Sequence, residues 1–324
     1  MLTSQKIIDF ISKNRQASGK ELSEYLNAIT PRAVRKQLKN LLDKGLVRKI
    51  GRPPKVYYLL AANKDLQNTI PADQQVLDFI NERYLFISPA GKSMSGWQGF
   101  LAWCEKTKQD PIKTAEEYIS TVKKFDSFRK NDLIDGMAKM RKTFTEVFLD
   151  NLFYLDFYSI ERFGKTKLGQ MLLYAKQSQN AALTRRLIAE IRPRIISLIT
   201  SYKIDGVLFV PPTVKREVQF MKELEKQLQL STRILSVTKV KTEIIIPQKT
   251  LVKLEDRIEN ARYTIMVDDT QRYKNILLID DAVGSGATLN ETAQQIKNKN
   301  LSSGKIIGLA ITGSFKGFDV ISEV

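Results

Sequence analysis

Near the C-terminal end of the chain two acids, Asp280 and Asp281, stand between a short apolar run and a stretch without large side chains. The run from Ile276 to Ile279 is continuously apolar, the pattern of a strand buried on both faces of a parallel sheet. The acids are therefore expected at the carboxyl end of that strand, where open α/β sheets bind their ligands. From Val283 through Gly284, Ser285, Gly286 and Ala287 to Thr288 the side chains are small. Backbone N–H groups there can approach a phosphate closely, helped by the positive end of the helix expected next. Ser285 and Thr288 add hydroxyl donors. The lysine of a Walker loop is absent, and so is the GxGxxG dinucleotide pattern.

Such a strand needs neighbours. Ile204 to Val210 reads as a second buried strand ending at Pro211 and Pro212, with Lys215, Arg216 and Lys222 after it. Thr232 to Val237 reads as a third. Gln248 and Leu251 with Arg257, Asn260 and Ala261 form a Q-x-x-L, R-x-x-N rhythm, and the stretch from Tyr158 to Phe163 through Leu187 to Glu190 looks like a domain entry.

On these motifs, residues 151 to 314 resemble the type I phosphoribosyltransferases, and among them the ComF family. The resemblance implies that Asp280 and Asp281 are catalytic, clamping the ribose 2′- and 3′-hydroxyls, while Val283 to Thr288 cradle the 5′-phosphate. It makes the segment around Lys215 and Arg216 the pyrophosphate loop. It makes 241–262, with Lys249, Lys253 and Arg257, a flexible cover. The implied ligand is phosphoribosyl pyrophosphate or a nucleotide, and the implied cofactor is Mg²⁺, reached by Asp280 and Asp281 indirectly through that ligand. Phe315 and Phe318 would stack on a base or serve as core. The chain also departs from the family: no cysteine-rich zinc element is present, Glu217 stands beside Lys215 and Arg216, and Gly284-Ser285-Gly286 replaces Thr-Thr-Gly.

The N-terminal segment has a different grammar. Residues 1–62 hold 13 Lys and Arg against 4 Asp and Glu, within a chain whose formal charge is +17, so the basic excess is concentrated there. Helices are expected over 4–14 and 20–26, and a third opens at Thr30-Pro31, a cap followed by proline at the first helical position. Strands over 46–50 and 56–60 then flank a turn at 51–55. Three helices and a basic hairpin resemble the winged helix-turn-helix of bacterial transcription regulators. The resemblance implies that the third helix enters the major groove with Arg32, Arg35, Lys36 and Lys39 outward, and that Arg48, Lys49, Arg52 and Lys55 put charge on the wing. DNA is the expected partner and RNA an alternative. A winged helix used for protein contacts is the competing reading.

The expected architecture is α/β: a winged helix over 1–62, a helical connector over 63–150, and a parallel sheet flanked by helices over 151–324. Amphipathic helices are expected in the connector near 76–80, 97–107, 113–124 and 131–148, with a loop at 88–93. Phe125, Phe128, Arg129 and Lys130 could line a nucleic-acid groove or simply pack a helix. The connector reads as a spacer or a homodimer contact.

With no histidine, imidazole-dependent triads and metal sites are excluded. The single cysteine, Cys104, reads as a core residue and points to a reducing cytoplasm. No apolar run is long enough to span a membrane. Three functions fit: a phosphoribosyltransferase tethered to nucleic acid, a ligand-sensing transcription regulator without turnover, and a nucleotide-modifying antiphage effector similar to winged-helix proteins encoded beside retron reverse transcriptases.

Overall fold

The computed structural model describes residues 2–61, 73–212, 216–240 and 242–314. The chain divides into two compact units, Met1–Asp73 and Gln74–Val324.

In the first unit α1 (Thr3–Asn14) buries Ile7 and Ile11. The short strand β1 (Ala17–Ser18) leads into α2 (Gly19–Tyr25) through a capping box. The Ser18 hydroxyl accepts from the Glu21 N–H while the Glu21 carboxylate accepts from the Ser18 N–H at 2.6 Å. Those bonds hold the Glu21 carboxyl below its ordinary range. The third helix, α3 (Pro31–Asp43), begins at the expected cap, with the Ala33 N–H donating to the Thr30 hydroxyl at 3.3 Å. Its Val34, Leu38 and Leu41 join Ile7, Ile11 and Leu22 in one core. The hairpin of β2 (Val47–Arg52) and β3 (Lys55–Leu60) is antiparallel, and β1 pairs with the outer edge of β3. Gly51 turns the hairpin at φ +83°, where a β-carbon would collide with the Lys55 carbonyl.

The second unit begins with α4 (Gln74–Arg83), the hairpin β4 (Leu85–Ile87) and β5 (Ser93–Ser95), α5 (Gly96–Thr107) and α6 (Pro111–Asp126). Next come β6 (Arg129–Lys130), β7 (Leu133–Asp135), α7 (Met137–Thr143) and β8 (Asn151–Phe157), then the ribbon of β9 (Ser159–Ile160) and β10 (Gly164–Lys165). The helices α8 (Lys167–Ser178) and α9 (Ala181–Ser201) precede β11 (Gly206–Phe209), α10 (Phe220–Leu228) and β12 (Arg233–Ile234). Last are β13 (Val237–Lys239), α11 (Leu254–Thr264), β14 (Ile265–Val267), β15 (Ile276–Val283), α12 (Ala287–Asn298) and β16 (Ile306–Gly313).

Seven strands form one sheet in the order β12-β11-β15-β16-β8-β7-β6, parallel from β12 to β8 and antiparallel beyond it. Leu172, Leu187, Ile191, Ile279 and Leu309 bind α8 and α9 to one face. Opposite, Gly308 leaves room for Leu289 of α12 and Leu152. From β11 the chain moves outward to β12, and from β15 it moves outward the other way to β16. The strand order therefore reverses between β11 and β15, the switch point outside which such sheets bind ligands. Asp205 fixes those two strands together, its carboxylate accepting from the Lys274 and Asn275 N–H groups at 2.8 Å each.

The segment expected as a separate helical connector differs from that expectation. Residues 74–150 fold into the same compact unit as the sheet, and 129–135 add its two antiparallel strands. A helix over 131–148 does not form. Asn131 and Asp132 have left-handed φ values of +50° and +62°, which turn the chain back on itself, and Leu133–Asp135 then pairs with β8. Only Met137–Thr143 is helical there.

Candidate functional site

The acids lie inside β15, not beyond its end. Asp280 is in register with Ala310, Ala282 with Thr312 and Val283 with Gly313, so pairing to β16 continues past both carboxylates. Consecutive strand residues face opposite sides. Asp281 shares the side of Ile279 and meets α8, where its carboxylate takes the Lys176 ammonium at 2.6 Å. The Asp280 carboxylate instead curls forward and accepts from the Asp281 N–H at 2.8 Å. Burial first, and the Asp281 charge second, push the Asp280 carboxyl well above the ordinary carboxylate range. Lys239 on β13 is a compensating charge, and burial lowers its own pKa to about 8 against the pull of Asp280. The sequence contains no motif around Lys176 or Lys239, so neither was expected.

Strand pairing also removes Val283 from the expected phosphate cradle, because it is a buried strand residue in register with Gly313. The turn proper is Gly284, Ser285 and Gly286, and Gly286 caps α12 at φ +90°. The Ser285 hydroxyl, buried, accepts from the Ala287 N–H at 3.3 Å, so one donor of the first turn is already engaged. Ala287 is buried and Thr288 partly exposed in that same turn. A β-carbon on Gly286 would collide with the Met140 sulfur, so α7 closes one side of the turn.

The same helix brings a cation that sequence reasoning missed. Lys139 donates from Nζ to the Ser314 carbonyl at 3.2 Å, and the Ser314 N–H donates to the Val283 carbonyl at 3.1 Å. Burial, then the nearby Arg257, lower the Lys139 ammonium to about 8. Lys139 thus stands beside the strand end that leads into the turn.

The expected loop cations fare unequally. Lys215 lies outside the described residues. Arg216 donates from Nη1 to the Lys176 carbonyl in the last turn of α8, and the adjacent Val218 N–H donates to the Gln179 side chain at 2.9 Å. At least one guanidinium donor therefore serves the helix end. Within the expected flexible cover, α11 occupies the part from 254 onward, and Arg257 is buried there, its Nε donating to the Leu251 carbonyl at 2.7 Å. Gln248 donates to the Arg257 carbonyl at 2.8 Å and Asn260 to that of Ile246 at 3.4 Å. The Q-x-x-L, R-x-x-N residues are fasteners between a loop and a helix. Lys253 is the exposed residue preceding α11. The side chain of Lys249, and all of Phe315 and Phe318, lie outside the described residues.

In the first unit Arg32, Arg35, Lys36 and Lys39 are exposed along α3, opposite buried Val34 and Leu38. Lys49 and Lys55 are exposed on the hairpin, Arg48 is half-buried, and the backbone of Arg52 is in register with Lys55. In the second unit Phe125 is buried against Phe157, and Arg129 ties Asp126 to Asp156. That basic-aromatic cluster packs a helix onto the sheet.

A separate cavity of about 370 Å³ lies between α4, α6, α8 and α9. Arg83 and Arg129 pair there with Asp126 and Asp156, and Lys167 with Glu190, so its charges offset one another. Cys104 is buried, and desolvation pushes its thiol up to about 12, which disfavours the thiolate. Among the described residues no three Asp, Glu, Cys or His side chains group as a metal cage, and no helix is long and apolar enough to cross a membrane. No protein-family model matches the chain, and no curated protein matches it.

Proposed function

We propose that the chain is a nucleic-acid-binding protein whose second unit binds phosphoribosyl pyrophosphate, or a nucleotide, at the switch point between β11 and β15, and transfers phosphoribosyl to a base. The observation that carries this reading is the placement of Asp280, Asp281 and the Gly284–Gly286 turn at that switch point, directly before α12. The acids would accept from the ribose hydroxyls. The N–H groups at the start of α12, with Thr288, would take the 5′-phosphate. Lys176, Lys239 and Lys139 supply positive charge around the crevice. Transfer breaks the bond from C1 to the pyrophosphate oxygen and forms one from C1 to a base nitrogen, with the electron pair leaving on pyrophosphate and the proton of the base passing to solvent. Holding both ends of the sugar and offsetting charge on the leaving group are what these residues contribute.

The acids do not make a cage for Mg²⁺: Asp281 is held by an ammonium and Asp280 by the Asp281 N–H. The ion would enter with the ligand, where it neutralises the diphosphate. The first unit supports a winged helix by its three helices, its hairpin and the exposed cations of α3. Pyrophosphate release over a panel of bases tests turnover, with the Asp280→Asn, Asp281→Asn double variant as the control that loses it.

Binding without turnover is the second reading. It is favoured by Arg216, which serves the end of α8, and by Met140, which closes one side of the turn. A ligand-sensing regulator would bind the same molecule and release no pyrophosphate.

A further inference from the structure

We infer that Lys176 makes the crevice selective for sugars that carry an anion beside the diol, because its ammonium must leave Asp281 before a hydroxyl can take that place. This rests on the reading of the crevice as a phosphoribosyl pyrophosphate site and names how that site chooses its ligand.

The pair is short at 2.6 Å and only partly exposed, Lys176 at 24% and Asp281 at 17%. A hydroxyl that displaces the ammonium gains a hydrogen bond to a carboxylate. It also leaves a half-buried cation without its partner, which is costly. Ribose 5-phosphate offers nothing to that cation, since its phosphate would sit at the Gly284–Gly286 turn. A diphosphate at C1 does. The location agrees: Lys176 is in the last turn of α8, and its carbonyl accepts from Arg216, on the segment that follows β11. The Val218 N–H to Gln179 bond fixes that segment to the helix end as well. Lys176 thus holds the second acid with its ammonium and the segment on the leaving-group side with its carbonyl. Exchange of one anionic partner for another, Asp281 for diphosphate, makes ribose clamping and diphosphate capture a single event.

The test is isothermal titration of the full chain, with Mg²⁺, using phosphoribosyl pyrophosphate and ribose 5-phosphate, for wild type and Lys176→Met. The expected wild-type preference for the diphosphate is about 100-fold or more, and Lys176→Met should cut it by about 10-fold, tightening ribose 5-phosphate while weakening the diphosphate. Lys176→Arg should retain the preference. If Lys176→Met does not fold, Lys176→Gln, which keeps a donor for Asp281, should give the same direction. An unchanged ratio, or weaker ribose 5-phosphate binding in the variant, overturns the inference while leaving the site assignment standing. Absence of diphosphate binding by wild type overturns the site assignment itself, and the inference with it.

Discussion

Met140 fills the space that a side chain on Gly286 would need, and Gly286 caps α12 in a left-handed conformation. The turn beside the acids is thus shaped by α7, an element more than a hundred residues earlier in the chain. Gly286→Ala carries both a collision and a strained backbone, so it should destabilise the protein by about 1–3 kcal/mol. Met140 is itself buried, so Met140→Ala costs stability of its own, and the double variant should lose less than the sum of the two single variants by the collision part alone. Chemical denaturation of wild type, both single variants and the double measures that coupling.

Asp280 gives a stability test with a definite sign. Its carboxyl is raised in the folded state by burial and by Asp281. The folded protein then holds a proton that the unfolded chain releases, so the group lowers stability as pH rises from the unfolded carboxylate value towards the folded one. Asp280→Asn should therefore raise Tm above neutral pH, by roughly 2–4 °C for each kcal/mol recovered. The gain should vanish near pH 3, where both states are protonated. Thermal melts across pH read this directly.

Much of the site strand was legible because its causes are local. An apolar run, paired acids, small residues and a helix start are adjacent in sequence, and β15 and α12 form there. The Thr30-Pro31 helix start was legible for the same reason. The extension of β15 through Val283 was not, because it depends on the register with β16. Lys176 and Lys139 carry no local signature; α8 and α7 bring them to the strand end from 105 and 144 residues away, measured to Asp281 and Val283. Residues 129–135 misled because a two-strand edge is too short to have a period.

Lys139 and Lys239, each lowered to about 8 by burial, should respond to an anion. A bound phosphate favours the charged ammonium and raises its pKa. At pH 9 ligand binding should therefore take up protons, and the uptake should shrink at pH 6, where both lysines are already charged. Titration in buffers of different ionisation enthalpy gives the proton count.

The exposed cations of α3 predict salt-sensitive binding to duplex DNA. Arg35→Ala with Lys36→Ala in the full chain should weaken that binding and lower the salt slope by about 1–2. Fluorescence anisotropy at several salt concentrations tests it. Equal affinity and slope would remove Arg35 and Lys36 from the duplex contact.

The most direct test of the central claim is calorimetric titration of the full chain with phosphoribosyl pyrophosphate and Mg²⁺, beside the Asp280→Asn, Asp281→Asn double variant. The expected result is saturable, metal-dependent binding by wild type and its loss in a variant that still melts cooperatively. Binding of equal strength in the folded variant, or none by wild type, would contradict the assignment of these acids to a ribose ligand.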